Sequence, residues 1–236
     1  MNESGDESDK GYGNAAGGAG GAGGEDAGLR ARLVDVGVEL LATHGVQALT
    51  LREIARRAGV SHGAPRRYFP THVALLSAIA RRGFAELGTV VADAARAVED
   101  GGPDAGASAG RDARVRLKAL SLAYLRFAAT HRGMFELMFR HDLLESNQLG
   151  LRETSLPLFD VLVGLVAEAG AAASSGVGTG AGTGAGARVA AGALWANLHG
   201  IAQLWGWGSL RLASGAEDVE ALLDAALDAH LGPVSG

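Results

Sequence analysis

Cysteine is absent from the 236 residues. That excludes a disulfide framework and thiolate chemistry, and it fits a reducing, cytoplasmic compartment. Lysine is nearly absent too, with only Lys10 and Lys118, so arginine carries almost all the positive charge. Long hydrophobic runs are lacking: none is expected to approach the ~18 residues of a membrane span, and the N-terminus lacks the basic-then-apolar order of a signal peptide. The expectation is a soluble, cytoplasmic protein with no membrane partner. Sustained apolar/polar alternation with β-branched or aromatic residues is also missing, which argues against a sheet.

Glycine, by contrast, is plentiful at 37 residues and is concentrated in three stretches. Residues 1–26 form a polar, acidic, Gly-rich tail with almost nothing to bury, and little changes up to residue 28. Such a segment cannot offset its ordering entropy and is expected to be disordered. Residues 100–110 and 170–186 read as flexible segments by composition. Between these breaks the apolar residues recur at helical spacing. Leu33, Gly37, Leu40, Leu41 and His44 make one stripe. Leu76, Ile79, Gly83, Leu87 and Val90 make a second, and Val219, Leu222, Leu223, Ala226, Leu227 and His230 a third. The expected fold class is all-α with about nine helices: three in residues 29–69, one through 73–98 and five behind.

Net charge is −5, but it is segregated. Residues 29–82 carry nine arginines against Asp35, Glu39 and Glu53, a local charge of +6 that leaves −11 for the remainder. A GC-rich coding bias accounts for arginine in place of lysine, not for the clustering. A basic module on an acidic body is the footprint of a DNA binder whose other part does something else.

Within the basic module, LTLREIARRAGVSHGAPRRYF (residues 49–69) reads as two short helices around a tight turn. Thr50 and Glu53 fit a capping box that starts a helix at Leu51. Leu51, Ile54, Ala55 and Ala58 form its buried face, with Arg52, Arg56 and Arg57 outward. Gly59 ends it in the left-handed conformation. Ser61 reads as the next N-cap, with His62, Gly63 and Ala64 in the first turn and Pro65 where a lost N–H costs little. Arg66, Arg67, Tyr68 and Phe69 complete the second helix, and Pro70 stops it. The motif from Thr50 to Phe69 is therefore a helix-turn-helix suited to the DNA major groove.

The stretch from about Ala27 to Leu87, in which LVDVGVELLATHG precedes TLREIARRAGVSHGAPRRYFP, resembles the N-terminal domain of TetR-family transcriptional regulators. Ala193–Leu212, through Trp195, His199 and Gly200, resembles the Trp-x-x-x-His-Gly signature of the so-called WHG ligand-binding domain. The resemblance implies a DNA-binding domain over 27–87 and an effector-binding, dimerising domain over 88–232. It assigns phosphate contact to Thr50 and places helix Ser61–Phe69 in the groove. The subgroup commonly has Tyr-Arg-His-Phe where Arg66, Arg67, Tyr68 and Phe69 stand, and Asp-Lys where Thr71 and His72 stand. His72 is the weaker cation near neutral pH, while Arg66 can grip phosphate or read guanine. The expected DNA-contact set is Thr50, Arg52, Ser61, His62, Gly63, Ala64, Arg66, Arg67, Tyr68 and His72.

The resemblance further implies a ligand-responsive repressor that binds a palindromic operator as a homodimer. The last two helices, around Ala187–Leu212 and Glu217–Leu231, are expected to pair with their symmetry mates. Large apolar residues between 111 and 170 would enclose a pocket for a small, hydrophobic effector, with Phe135, Met138, Phe159, Trp195 and His199 as lining candidates. The alternative is an all-helical small-molecule-binding protein whose DNA affinity is weakened or lost. Catalysis and metal or cofactor binding find no support. The seven histidines lack His-x-x-x-His or Glu-x-x-His spacing, and no nucleophile elbow or phosphate-binding loop is present.

Overall fold

The computed structural model describes residues 21–100, 109–174 and 184–233, and every regular element among them is helical. Eleven α-helices follow in order: α1 Gly21–His44, α2 Leu51–Arg57, α3 Ala64–Tyr68, α4 His72–Asp100, α5 Ala109–Thr130, α6 Arg132–Met138, α7 His141–Ser146, α8 Leu151–Ser174, α9 Gly184–Gly206, α10 Ser209–Ser214 and α11 Val219–Leu231. The count exceeds the expected nine because α7 and α10 have six residues each, too few to show a period. A left-handed Gly208 (φ 78°) divides the expected Ala187–Leu212 helix into α9 and α10. Helix α1 begins at Gly21, inside the stretch expected as tail, while residues 1–20 lie outside the described residues. Of the segments expected to be flexible, 101–108 and 175–183 also lie outside them; α8 runs on to Ser174 and α9 starts at Gly184.

Helices α1 to α3 form a head on the start of α4, while α4, α5, α8 and α9 build the body. The stripes read from the sequence are the buried faces. Leu33, Leu40 and Leu41 on α1, Leu76, Ile79 and Leu87 on α4, and Leu223, Ala226 and Leu227 on α11 are all buried. The terminal members His44 and His230 are exposed. Because the α11 stripe faces its own chain, against α5 and α9, it is not free for a second subunit.

Helix α8 corrects one expectation. Its stretch Leu151–Ala171 has a mean hydropathy of 1.4 and is long and apolar enough, by length and composition, to cross a membrane. No unbroken run signals it, because Arg152, Glu153, Asp160 and Glu168 interrupt the sequence. The helix packs instead along α5, α9 and α4, and its outer face stays largely exposed.

Helix α7 ends in a strained connector to α8. Asn147 (φ 46°), Leu149 (φ 59°) and Gly150 (φ 65°) are all left-handed. For Leu149 that region is costly, on the order of 1 kcal/mol. Leu151 is fully buried just beyond. The Asn147 side chain accepts from the Arg152 amide (2.7 Å) and donates to Glu153 (3.2 Å). Gln148 reaches across to accept from the Thr71 hydroxyl (3.1 Å), next to the start of α4.

Close approach of helices fixes how head and body meet. A Cβ on Gly83 of α4 would lie 2.6 Å from the sulfurs of Met134 and Met138 on α6. Gly83→Val should therefore lower stability by roughly 1–3 kcal/mol through overpacking. Gly88→Ala, whose Cβ meets only Leu158 at 3.5 Å, should be neutral or gain up to ~1 kcal/mol of helix propensity. Urea denaturation of the two variants beside the parent checks the contrast.

Candidate DNA interface and effector cavity

The helix-turn-helix is built from caps and a small core. The Thr50 hydroxyl accepts from the Glu53 amide (3.2 Å) and starts α2. Only this half of the capping box forms, because the Glu53 carboxylate turns to Arg56 (2.6 Å) and Arg57 (2.9 Å). Those two guanidiniums, Arg56 first, hold the Glu53 pKa down to about 2. Gly59 is left-handed (φ 67°), as its place at the helix end requires. Ile54, Ala55, Pro65 and Phe69 are buried beneath the motif. Helix α3 is shorter than the expected Ser61–Phe69 and begins at Ala64. Pro65 has no N–H to give the Ser61 carbonyl, so the entry is a turn closed by the Ala64 amide onto Ser61 (3.0 Å).

Of the nine arginines in residues 29–82, Arg81 and Arg82 lie exposed on α4, and the seven on or beside α1 to α3 divide into two groups. Arg30 lies over the Phe69 ring at 5.1 Å, Arg32 donates to the Ala58 carbonyl, and Arg56 and Arg57 are tied to Glu53. These four hold the head together. Arg52, Arg66 and Arg67 are exposed and form no ion pair among the described residues. Ser61, His62 and Gly63 lie exposed beside them, and Ala64 is half-buried. Tyr68 is half-buried and donates its hydroxyl to Asp26 of α1 (2.5 Å), which raises its pKa. The His72 ring is hydrogen-bonded to the Leu49 carbonyl, bracing the entry to α2. Thus three cations stand free on one surface while Tyr68 and His72 are engaged with the head itself. Charge density alone could not separate these groups, since the difference depends on which helix each arginine folds back on.

In the body, a cavity of about 520 Å³ lies between α4, α5, α8 and α9. Six of the twelve aromatic residues gather on and behind its wall. Phe84 packs edge-on to Phe139 (5.4 Å between centroids), Phe139 approaches Trp195 (5.9 Å), and Trp195 meets Phe159 (6.2 Å). Of the expected lining residues, Phe159 and Trp195 face the cavity. The other three form a layer behind it: Phe135 stacks on His199 (5.0 Å), and Met138 is fully buried against Gly83. Phe84 and Leu87 of α4 and Arg152 of α8 line the cavity without having been expected there. The α4 stripe through Leu87 carried that signal, since a stripe running beyond the head needs something to face.

Tyr124 is one of four polar residues on this apolar wall, with Ser121, Arg152 and Ser155. Its hydroxyl and His199 Nδ1 are 2.8 Å apart. Trp195 stands one turn before His199 on the same helix and lines the same wall. Burial pushes the Tyr124 pKa up and the His199 pKa down, so both groups are neutral near pH 7. No cluster of three or more metal-ligating side chains occurs among the described residues.

A DNA-reading head whose fourth helix also walls an apolar cavity defines a ligand-responsive regulator rather than a catalyst. The model described as "Bacterial regulatory proteins, tetR family" matches residues 33–79, and that described as "Tetracyclin repressor-like, C-terminal domain" matches residues 117–230. The chain belongs to the TetR family of DNA-binding transcriptional regulators, which are not enzymes. Among curated proteins nothing matches. A solved protein of unknown function from Rhodococcus sp. RHA1 is 32% identical, with 86% of this chain and 93% of that chain covered and a TM-score of 0.65. A TetR-like transcriptional regulator from the same organism is 17% identical over 86% of this chain and 93% of its own (TM-score 0.53). Thermus thermophilus FadR, a TetR-family repressor solved with lauroyl-CoA, is 20% identical over 88% and 96% (TM-score 0.58).

Burial disfavours the imidazolium, so folded His199 titrates below the ordinary histidine value that the unfolded chain keeps. Between those two values the unfolded state binds more protons, and stability must rise with pH. The His199 contribution is complete above pH ~6.5 and declines as pH falls below it. Thermal unfolding of His199→Gln, which keeps an acceptor for Tyr124, should lack that part of the acid dependence. An unchanged pH profile would mean that His199 titrates normally in the folded state.

Proposed function

We propose that the protein is a cytoplasmic repressor that binds a palindromic operator as a homodimer and leaves it when a small hydrophobic effector fills the cavity. The observation that carries this reading is the double duty of α4. Ala74, Leu75 and Ile79 are buried in the head core, while Phe84 and Leu87 of the same helix face the cavity. An effector that displaces the α4 wall moves the helix on which α1 rests, and with it α2 and α3, which pack on α1. The Gln148–Thr71 hydrogen bond supplies a second tie, from the start of α8 to the start of α4. The effector acts by favouring one spacing of the two heads over the other.

Helix α3 would lie in the major groove with Arg66 and Arg67 toward DNA, Thr50 and Arg52 toward phosphates, and Ser61 to Ala64 allowing close backbone approach. Tyr68 and His72 act through the head, by fixing α1 and the α2 entry, and add contacts at its edge. The double variant Arg66→Ala/Arg67→Ala should weaken binding to a selected operator by roughly 1–3 kcal/mol for each arginine that reads a base edge. For each arginine that grips a phosphate instead, the salt slope should fall by about one. Fluorescence anisotropy across a salt series reads both. Unaltered affinity and slope would misplace the interface, and a flat salt response of the parent on random DNA would favour a carrier without DNA function.

The dimer face we assign is α8 with α9, because α11 is covered by its own chain. Val189, Leu204 and Trp207 on or just beyond α9 remain between 39% and 76% exposed, beside Leu156 and Val161 of α8, which also line the cavity. Gly164, Gly192 and Gly200 face open space, leaving room for a partner helix to approach closely. Two such pairs make a four-helix interface that sets two heads side by side. Ala193→Arg, on the exposed side of α9, should convert a dimer into a monomer in sedimentation while leaving the helical circular dichroism unchanged. A dimer that survives it would move the interface elsewhere.

A further inference from the structure

We infer that the effector is an amphiphile with an apolar body and one anionic head, and that Arg152 holds the head at the rim of the cavity. This rests on the reading of the cavity as the effector site. The wall is apolar almost throughout, and Arg152 is the single charged residue on it. No carboxylate lines the cavity. The acidic groups on the same helix are committed elsewhere. Glu153 accepts from Asn147 and makes no ion pair with Arg152; its pKa is lowered by its own backbone amide and that hydrogen bond, and less by the charges of Arg152 and Arg81. Asp160 is paired with Arg188 at 2.9 Å, and Glu168 pairs with Arg116 (2.5 Å).

Arg152 therefore forms no ion pair among the described residues, although its backbone amide is fixed by Asn147 at 2.7 Å. The stem of a free guanidinium at an apolar rim rests on the wall while its fork faces water, the geometry that captures a carboxylate or phosphate whose tail goes inward. A cationic amphiphile would meet the same arginine as a like charge, with no counter-charge in the wall to compensate. A neutral one would find the hydroxyls of Ser121, Tyr124 and Ser155 but gain nothing from the charge at the rim. The single charge on the wall thus ranks ligands by head: anionic first, neutral next, cationic last.

The test uses the full-length protein and calorimetric titration with four ligands that share one aliphatic tail, each below its micelle concentration: laurate, lauryl alcohol, lauryltrimethylammonium and lauroyl-coenzyme A. Laurate or lauroyl-coenzyme A should bind at least tenfold tighter than lauryltrimethylammonium, and whichever of the two is tighter tells a free acid from a bulky phosphorylated head. Arg152→Gln should weaken the anionic ligand about tenfold, the scale of one charge-assisted hydrogen bond, and leave lauryl alcohol unchanged. Arg152→Lys should restore most of the loss. Equal or tighter binding of the ammonium ligand overturns the proposal, as does an equal loss of acid and alcohol in Arg152→Gln. If none of the four binds, the cavity reading itself falls and takes this inference with it.

Discussion

One helix has to satisfy two cores at once. Helix α4 is 29 residues long, about 44 Å at the standard helical rise, and its single apolar stripe is shared between the head and the body. Leu75, Leu76 and Ile79 are inaccessible or nearly so beneath α1, α2 and α3, and Phe84 and Leu87 are almost as buried two turns further on. No flexible link lies between these positions. A change in packing at the cavity end must therefore rotate, tilt or translate the segment that the head rests on. Gly83 sits at the joint, where α6 comes close enough to exclude even a methyl group without movement of Met134 and Met138. The interior there is near close packing, so displacement is transmitted rather than absorbed.

The body spends its few aromatic residues in one place. Half of them surround or back the cavity, and His199 joins them as a neutral ring stacked on Phe135. Trp195 and His199 stand one helical turn apart on α9, so both can reach Tyr124 from the same face. This gives a physical sense to the Trp-x-x-x-His spacing: the tryptophan walls the cavity, and the histidine one turn on is hydrogen-bonded to the Tyr124 hydroxyl from behind. Gly200, the next residue, faces open space on the outer side of α9, so it serves no close contact within this chain.

The head was legible because its signals are local. A cap at Thr50, a left-handed turn at Gly59 and a proline at the α3 entry each act over four or five residues, and each is found where the spacing places it. The body was legible only as helices. Periodicity gives the buried face of a helix but not the depth of what it meets. Phe135, Met138 and His199 lie on inward faces, as expected, yet stand one layer behind the cavity, whereas Phe159 and Trp195 reach it. The apolar stripe of α11 was real but could not say whether it faced a second chain or its own. Arg152, a charged residue in the first turn of α8, gave no signal at all; only the fold brings it to a rim.

The segregated charge has a kinetic meaning once the fold is known. The excess arginines lie on or near helices α1 to α4, and of the −11 that balances them −6 lies in residues 83–236, most of them in the body, and −5 in residues 1–28. Such a molecule carries a permanent electrical asymmetry along its length. As it nears a polyanion within a few Debye lengths, about 8 Å each at physiological salt, the body is repelled and the head is drawn in. Encounters then begin from a narrow set of orientations, so fewer collisions are wasted before the arginines touch the duplex. The contrast between +6 in residues 29–82 and −6 in residues 83–236, rather than the overall charge, supplies the torque that points the reading end forward.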